Sequence, residues 1–453
     1  MKKLLPLIIG LTLGGAHLAH ADDLAEIYNQ AKENDPQLLR SKADRDASFE
    51  AIESSRGDLL PQINLTAGYN INRNINNHRG SHSVSGPAIS SQSQNERNTF
   101  TAGVDFSQEL YRRDSWVNLD IAEQNARQQD SAYAAEQQAM ILRVSQAYFD
   151  VLQAQDNLTF IQAEKKAVGR QLEQTKQRFE VGLSAITDVH DAQAQYDSVL
   201  ADEILAKNDV TNSYEALREI TGQDHKDLSE LDTKRFAANV PQTNQNALVD
   251  EAQQKNLDLL TARIAQDIAK SNISLAQSGY SPSLTLDGGY QYSDIDAHDD
   301  HSYQGNYTSN DYNVGINLVV PLYQGGTTNA DVKTAQYQYV SASQQLEATY
   351  RNVVKNVRAY YNNINASIGS IRAYEQSVIS AKSALEATEA GYEVGTRTIV
   401  DVLDATRRLY DANRQLSDAR YSYVLSVLQL KQAVGTLSEQ DILDINAGLK
   451  RPS

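Results

Sequence analysis

The chain has no cysteine, one tryptophan and two methionines among 453 residues. Without thiols, disulfides, thiolate metal sites, thiol catalysis and Cys-ligated iron–sulfur clusters are excluded. Positive charge is also scarce: 41 Lys and Arg stand against 58 Asp and Glu, a net charge of −17. That excess argues against nucleic acid or anionic headgroups as partners, since both need a basic footprint. Beyond residue 21 no stretch approaches 18 consecutive uncharged apolar residues. A transmembrane helix is therefore not expected. The mean hydropathy of −0.52 looks too polar for a membrane protein. It does not exclude a β-barrel, whose strands alternate and average out. Histidines are few and fall mostly in the leader and loops, at His17, His20, His78, His82, His298 and His301, with His190 and His225 elsewhere. They form no Ser-His-Asp or zinc spacing, so neither an enzyme nor a bound cofactor is expected.

What is present begins with an address. Lys2 and Lys3 precede an apolar stretch from Leu4 to Gly15, and Ala19-His20-Ala21 is a small-x-small cleavage site. Residues 1–21 read as a secretory signal peptide, with the mature chain starting at Asp22.

The rest is a duplication. Ala147-Tyr148-Phe149 recurs as Ala359-Tyr360-Tyr361, 212 residues on. Glu180-Val181-Gly182 recurs as Glu393-Val394-Gly395, and Gly222 as Gly435, 213 residues on. Near the start of each copy the offset is 221: Pro61, Leu65, Gly68 and Tyr69 match Pro282, Leu286, Gly289 and Tyr290. The offset changes inside a polar loop, where length changes are tolerated. The copies span about 22–223 and 247–436, with a polar linker at 224–246 and a C-terminal tail at 437–453.

Each copy opens with a helical run, such as Leu24 to Leu60, stopped by Pro61 or Pro282. Alternating segments follow. Ile63, Leu65, Ala67 and Tyr69 alternate with polar residues, as do Phe100, Ala102, Val104 and Phe106. Copy two repeats this at Leu284, Leu286, Gly288 and Tyr290, then at Tyr312, Val314, Ile316 and Leu318. Such alternation with long polar loops fits membrane strands, and a soluble hairpin sheet is the alternative. Tyr69, Phe100, Tyr111, Trp116, Tyr290 and Tyr323 fit an aromatic girdle.

Two long helices then follow. Val357, Ile364, Ile371, Val378, Leu385 and Tyr392 recur every seventh residue. Copy one gives Val144, Val151, Leu158, Lys165, Leu172 and Phe179, with Lys165 out of pattern. Beyond the Val-Gly bends, Val402, Leu409, Leu416, Tyr423 and Leu430 correspond to Val189, Tyr196, Glu203, Val210 and Leu217. A strict heptad predicts left-handed supercoiling, so each copy forms an antiparallel helical hairpin. A run from Asp114 to Glu180 would reach on the order of 100 Å at 1.5 Å per residue.

Four strands are too few for a closed barrel, and an open edge cannot sit in lipid. The chain must therefore assemble: two copies supply eight strands, three supply twelve. Its narrow helical seams suit a ring around a lumen. The sequence predicts a mainly α protein with a membrane β-barrel, built as a self-assembled duct. The competing structural reading is a coiled-coil filament.

The segments Arg178 to Val189, Pro321 to Gly326, Asn362 to Ser367 and Gly391 to Thr406 carry a resemblance to the TolC family of outer-membrane efflux proteins. It covers about Asp22 to Leu449. The resemblance implies a homotrimer with a twelve-stranded barrel in the outer membrane and a twelve-helix tunnel across the periplasm. It implies export of drugs, detergents, bile salts and sometimes proteins. The partners would be outer-membrane lipid, a periplasmic adaptor and an inner-membrane pump or ABC exporter. Asp401 and Asp404 match the family's aspartate ring at the tunnel entrance. The i, i+3 spacing puts both on one helix face. Six carboxylates around one axis would raise each other's pKa and draw cations. The alternative is that Asp in the first turn complements the helix dipole. Thr187, Asp188, Tyr392 and Arg397 match the family's gate constraints, released when the inner hairpins untwist. Val181, Gly182, Leu183, Val394, Gly395 and Thr396 form the two bends, where the adaptor would dock. Plain turn chemistry also explains them. Asp294, Asp296, His298, Asp299, Asp300 and His301 crowd one surface loop, with His78 and His82 in another. A solvated loop is the expectation there, ahead of a cation site.

Overall fold

The computed structural model describes residues 22–79, 90–299 and 306–450. The signal segment, His82, Asp300 and His301 lie outside them, as do the side chains of His78, His298 and Asp299. Two compact units are present. One comprises Ala43–Ala132 and Leu260–Thr349; the other holds the described residues up to Lys42, Tyr133–Leu259 and those from Tyr350 onward.

The opening helical run is two helices, α1 (Leu24–Asn34) and α2 (Pro36–Gly57), rather than one. Proline lacks an N–H and is tolerated only in the first turn, so Pro36 starts a new helix. The Asp35 carboxylate accepts from the Gln37 amide. Copy two breaks at the equivalent Asn256, between α5 (Gln245–Lys255) and α6 (Leu257–Ser278), where the Asn256 side chain accepts from the Leu259 amide.

Strands β1 (Gln62–Arg79) and β4 (Ser283–Asp299) begin directly after Pro61 and Pro282. With β2 (Ser90–Arg112) and β5 (Tyr307–Val319) they form an antiparallel sheet in the order β1-β2-β4-β5. The register aligns Leu65 with Val104, Val104 with Tyr290 and Tyr290 with Tyr312, so one face is apolar across all four strands. That face is open: Ile63, Leu65, Val314 and Ile316 are exposed, as are all six residues of the expected girdle. The other face is polar, with the Ser107 and Thr285 hydroxyls donating to Asp287 at 2.8 and 2.9 Å. An uncovered apolar face does not suit a soluble sheet, but lipid would cover it. The β4–β5 ladder pairs residues from Ser283 to Ile295, enough to cross a bilayer, which takes roughly 9–11 residues. Among the described residues no helix is long and apolar enough to cross a membrane.

In the other unit, the heptad stripes are the core. Helix α3 (Arg113–Glu180) contributes Val144, Val151 and Leu172, and α7 (Thr327–Glu393) contributes Val357, Ile364 and Ile371, all buried. Helices α4 (Ile186–Thr221) and α8 (Ile399–Val434) return antiparallel to them. The 224–246 segment carries β3 (Glu230–Leu231), paired with β6 (Leu449–Lys450) of the tail, beyond α9 (Glu439–Asn446). His225 is buried there, bridging the Asp22 carboxylate at 2.7 Å and the Thr221 hydroxyl at 2.9 Å.

The two heptad misses pair with each other. Lys165 Nζ lies 2.6 Å from Glu203, and Lys207 reaches the other carboxylate oxygen at 2.8 Å. Glu203 is 6% exposed. Copy two has Val378 and Leu416 at these positions. The two lysines hold the Glu203 carboxyl down to about 2. Its stabilising contribution is therefore complete above the ordinary glutamate value and lost as pH falls through about 2. Melting followed by circular dichroism should show this acid loss in the wild type and not in Lys165→Val with Glu203→Leu. Glu203→Leu alone, which strands Lys165 in the seam, should melt below both at neutral pH. Equal melting of the single and double variants would contradict the pairing.

Candidate functional site

Both Val-Gly bends close in the same way. The Gly182 amide donates to the Phe179 carbonyl and the Leu183 amide to Arg178. Gly395 and Thr396 repeat this onto Tyr392 and Gly391. This is a Schellman closure, which needs a left-handed residue. Gly182 and Gly395 supply it, with φ of 76° and 79°. Turn chemistry thus explains the glycines. It does not explain their neighbours: Leu183 is 71% and Val394 74% exposed, with Val181 and Thr396 also in solvent. Apolar side chains at both tips form a surface suited to a partner.

After each bend a carboxylate caps the next helix. Asp188 accepts from the Ser184 hydroxyl at 2.7 Å and the Ala185 amide at 3.3 Å. Asp401 accepts from the Thr398 hydroxyl and amide, both at 2.9 Å. These bonds hold the Asp401 carboxyl below the usual aspartate range, and the nearby Arg397 guanidinium adds to the effect. Within one chain the shift thus runs opposite to that expected of crowded carboxylates. Asp404, one turn on, is held by Arg407 at 2.7 Å and Arg408 at 2.6 Å.

The four expected gate residues divide within the chain. The Tyr392 ring lies 4.7 Å beneath the Arg178 guanidinium. It packs beside a small core of Val168, Leu172, Ala192, Ile399, Val402 and Leu403. Its hydroxyl is buried without a hydrogen-bond partner among the described residues. The Arg397 stem lies against Gly391, where a Cβ would stand 2.8 Å from Arg397 Cγ. Thr187 is exposed. Among the described residues no ion pair joins Arg397 to Asp188. Arg407 and Arg408 were not named from sequence, and Arg178 and Gly391 stood there only as the first residues of matched segments. Only the two arginines left a signal there, at i+3 and i+4 from Asp404.

One interface joins the two hairpins behind these tips. Helix α8 packs on α3 through Gln153–Asp418 (2.8 Å), Tyr421–Asp156 (2.9 Å) and Gln171–Thr406 (2.9 Å), with Ser417 also on Asp156 and Arg414 on Glu164. Burial pushes the Asp156 and Glu164 carboxyls up. Shifting by 213 residues gives the corresponding faces of α7 and α4. On α7 they are Ala366, Gly369, Ser377 and Ala384, all exposed. On α4 they include Ile204 and Leu205, each 63% exposed. One chain therefore uses this interface once and leaves both of its other halves open.

The sequence pattern of the outer membrane efflux protein family matches residues 27–223 and 248–436. The chain is 66% identical to the outer membrane protein TolC of Vibrio cholerae, over 99% of each chain. It is 46% identical to TolC of Escherichia coli, over all of this chain and 90% of the other. The outer membrane channel CmeC of Campylobacter jejuni superposes with a TM-score of 0.74 at 17% identity, covering 94% of this chain and 90% of that one.

Proposed function

The chain belongs to the outer membrane efflux protein family, and we propose that three copies close into one duct, gated at the Val-Gly tips. It is an outer-membrane efflux channel extending into the periplasm. The observation that supports the assembly is that the faces of α4 and α7 equivalent by repeat to the α8–α3 interface are exposed. The α4 face of one copy fits the α7 face of the next, as α8 fits α3 within a copy. The free edges β1 and β5 meet in the same closure. Three copies are favoured over two because an eight-stranded barrel is filled by its own side chains.

Asp401 and Asp404 line the periplasmic entrance of this duct. Thr187, Asp188, Tyr392 and Arg397 restrain its closed state, and untwisting of the inner hairpins opens it. The exposed Val181, Leu183, Val394 and Thr396, with Gly182 and Gly395, receive a periplasmic adaptor that links the duct to an inner-membrane pump or ABC exporter. Cargo comprises drugs, bile salts and proteins. The two copies, 22–223 and 247–436, supply the outer and inner hairpins, joined through 224–246 and followed by the 437–453 tail.

A deletion strain should become sensitive to bile salts and dyes, and the intact gene should restore resistance. Unchanged resistance would remove the proposed cargo. The docking surface has its own test. A Cβ at Gly395 meets nothing within 4 Å, so the main cost of Gly395→Val is strain in a left-handed backbone, about 1–3 kcal/mol. Heat-resistant trimers should survive in this variant while efflux is lost. Efflux at the wild-type level would show that the tip is not where the adaptor binds.

A further inference from the structure

We propose that Arg407 and Arg408 set the ion selectivity of the entrance by neutralising its carboxylates. This rests on the reading that Asp401 and Asp404 line the entrance. Each arginine takes a different Asp404 oxygen, at 2.7 and 2.6 Å, so the carboxylate is gripped from both sides. The four charged groups, Asp401, Asp404, Arg407 and Arg408, lie within two turns of α8, and their formal charges cancel. Copy one shows what the same surface would be without them. It has Asp188 and Asp191 at the matching positions, but Ala194 and Gln195 where the arginines would be.

The guanidinium side chains are 56% and 74% exposed. Neither fills a core, and exposed pairs of this kind add little to helix stability. Their effect is on the field in the adjoining water. A narrow aqueous passage with low-dielectric walls focuses that field, so local charge decides which ions concentrate there. Carboxylates alone would hold cations. Arginine stays charged at any working pH, so the compensation does not titrate away. The arginines thus weaken the cation preference that the carboxylates alone would give.

Reversal potentials of purified trimers across a KCl gradient test this. The wild type sets the reference reversal potential. Arg407→Gln with Arg408→Gln should raise the potassium-to-chloride permeability ratio about three- to tenfold. Arg407→Lys with Arg408→Lys, which keeps the charge, should behave as wild type. Should the glutamine pair fail to assemble, Arg408→Gln alone should give a smaller shift of the same sign. Asp401→Asn with Asp404→Asn should move selectivity towards chloride. If the asparagine pair moves the reversal potential and the arginine variants do not, the entrance reading stands and this proposal is overturned. If neither moves it, the entrance reading falls and this proposal with it.

Discussion

Arg397→Ser combined with Tyr392→Phe is expected to raise the single-channel conductance of the purified protein several-fold. Tyr392 carries a buried hydroxyl with no partner among the described residues of its chain. Such a group costs about 1–3 kcal/mol unless the assembled, closed state supplies an acceptor. The Arg397 stem is laid down on Gly391 while its side chain stays exposed, free to fork onto a carboxylate of a neighbouring protomer. Hydrogen bonds involving charged groups contribute roughly 1.5–3 kcal/mol each, and threefold symmetry repeats the loss at every protomer. The sum is enough to shift a closed–open equilibrium by orders of magnitude. Tyr392→Phe keeps the ring under Arg178, so the local fold should survive. Currents unchanged from wild type in planar bilayers would remove these residues from the gate.

Ile204→Asp is expected to abolish assembly while leaving the separate chain folded. Ile204 is exposed in one chain, so a carboxylate there costs that chain little. In the closed ring the same position would lie against α7 of the next copy. Losing the apolar contact removes about 1.5–3 kcal/mol per interface. An unpaired buried carboxylate adds a further penalty of several kcal/mol. All three interfaces fail together. Ala194→Asp, exposed on the same helix but at a position whose equivalent, Arg407, makes none of the α8–α3 contacts named above, should still give trimers. Heat-resistant oligomers from the Ile204 variant would contradict the pairing of α4 with α7.

Much of this fold was legible because heptads and strand alternation are local periodic signals. Val357, Ile364 and Ile371 were expected in a seam and are buried there. The strands ran further than their apolar alternation, with β1 reaching Arg79 and β2 starting at Ser90. Backbone pairing needs no apolar side chain, so alternation marks where lipid would lie rather than where a strand ends. Lys165 looked like an isolated defect because its distance along the chain from Glu203 hides a cross-hairpin contact. The break at Asn256 had no proline to announce it.

The candidate site was legible to a lesser degree. The repeated Val-Gly pair and the following Asp marked both bends. Nothing in the sequence revealed that Tyr392 lies under Arg178, since residues on different helices have no fixed spacing. Nor did the spacing separate capping from ring formation. Asp401 caps its helix and still lies on one face with Asp404, so the two roles are compatible.

The claim underlying the rest is that open faces on α4 and α7, and open edges on β1 and β5, close on one another in threes. The protein-only molar mass of the detergent-solubilised assembly tests it most directly, by light scattering with detergent subtracted. A mass of three mature chains is the predicted result; a mass of one, two or four would contradict it.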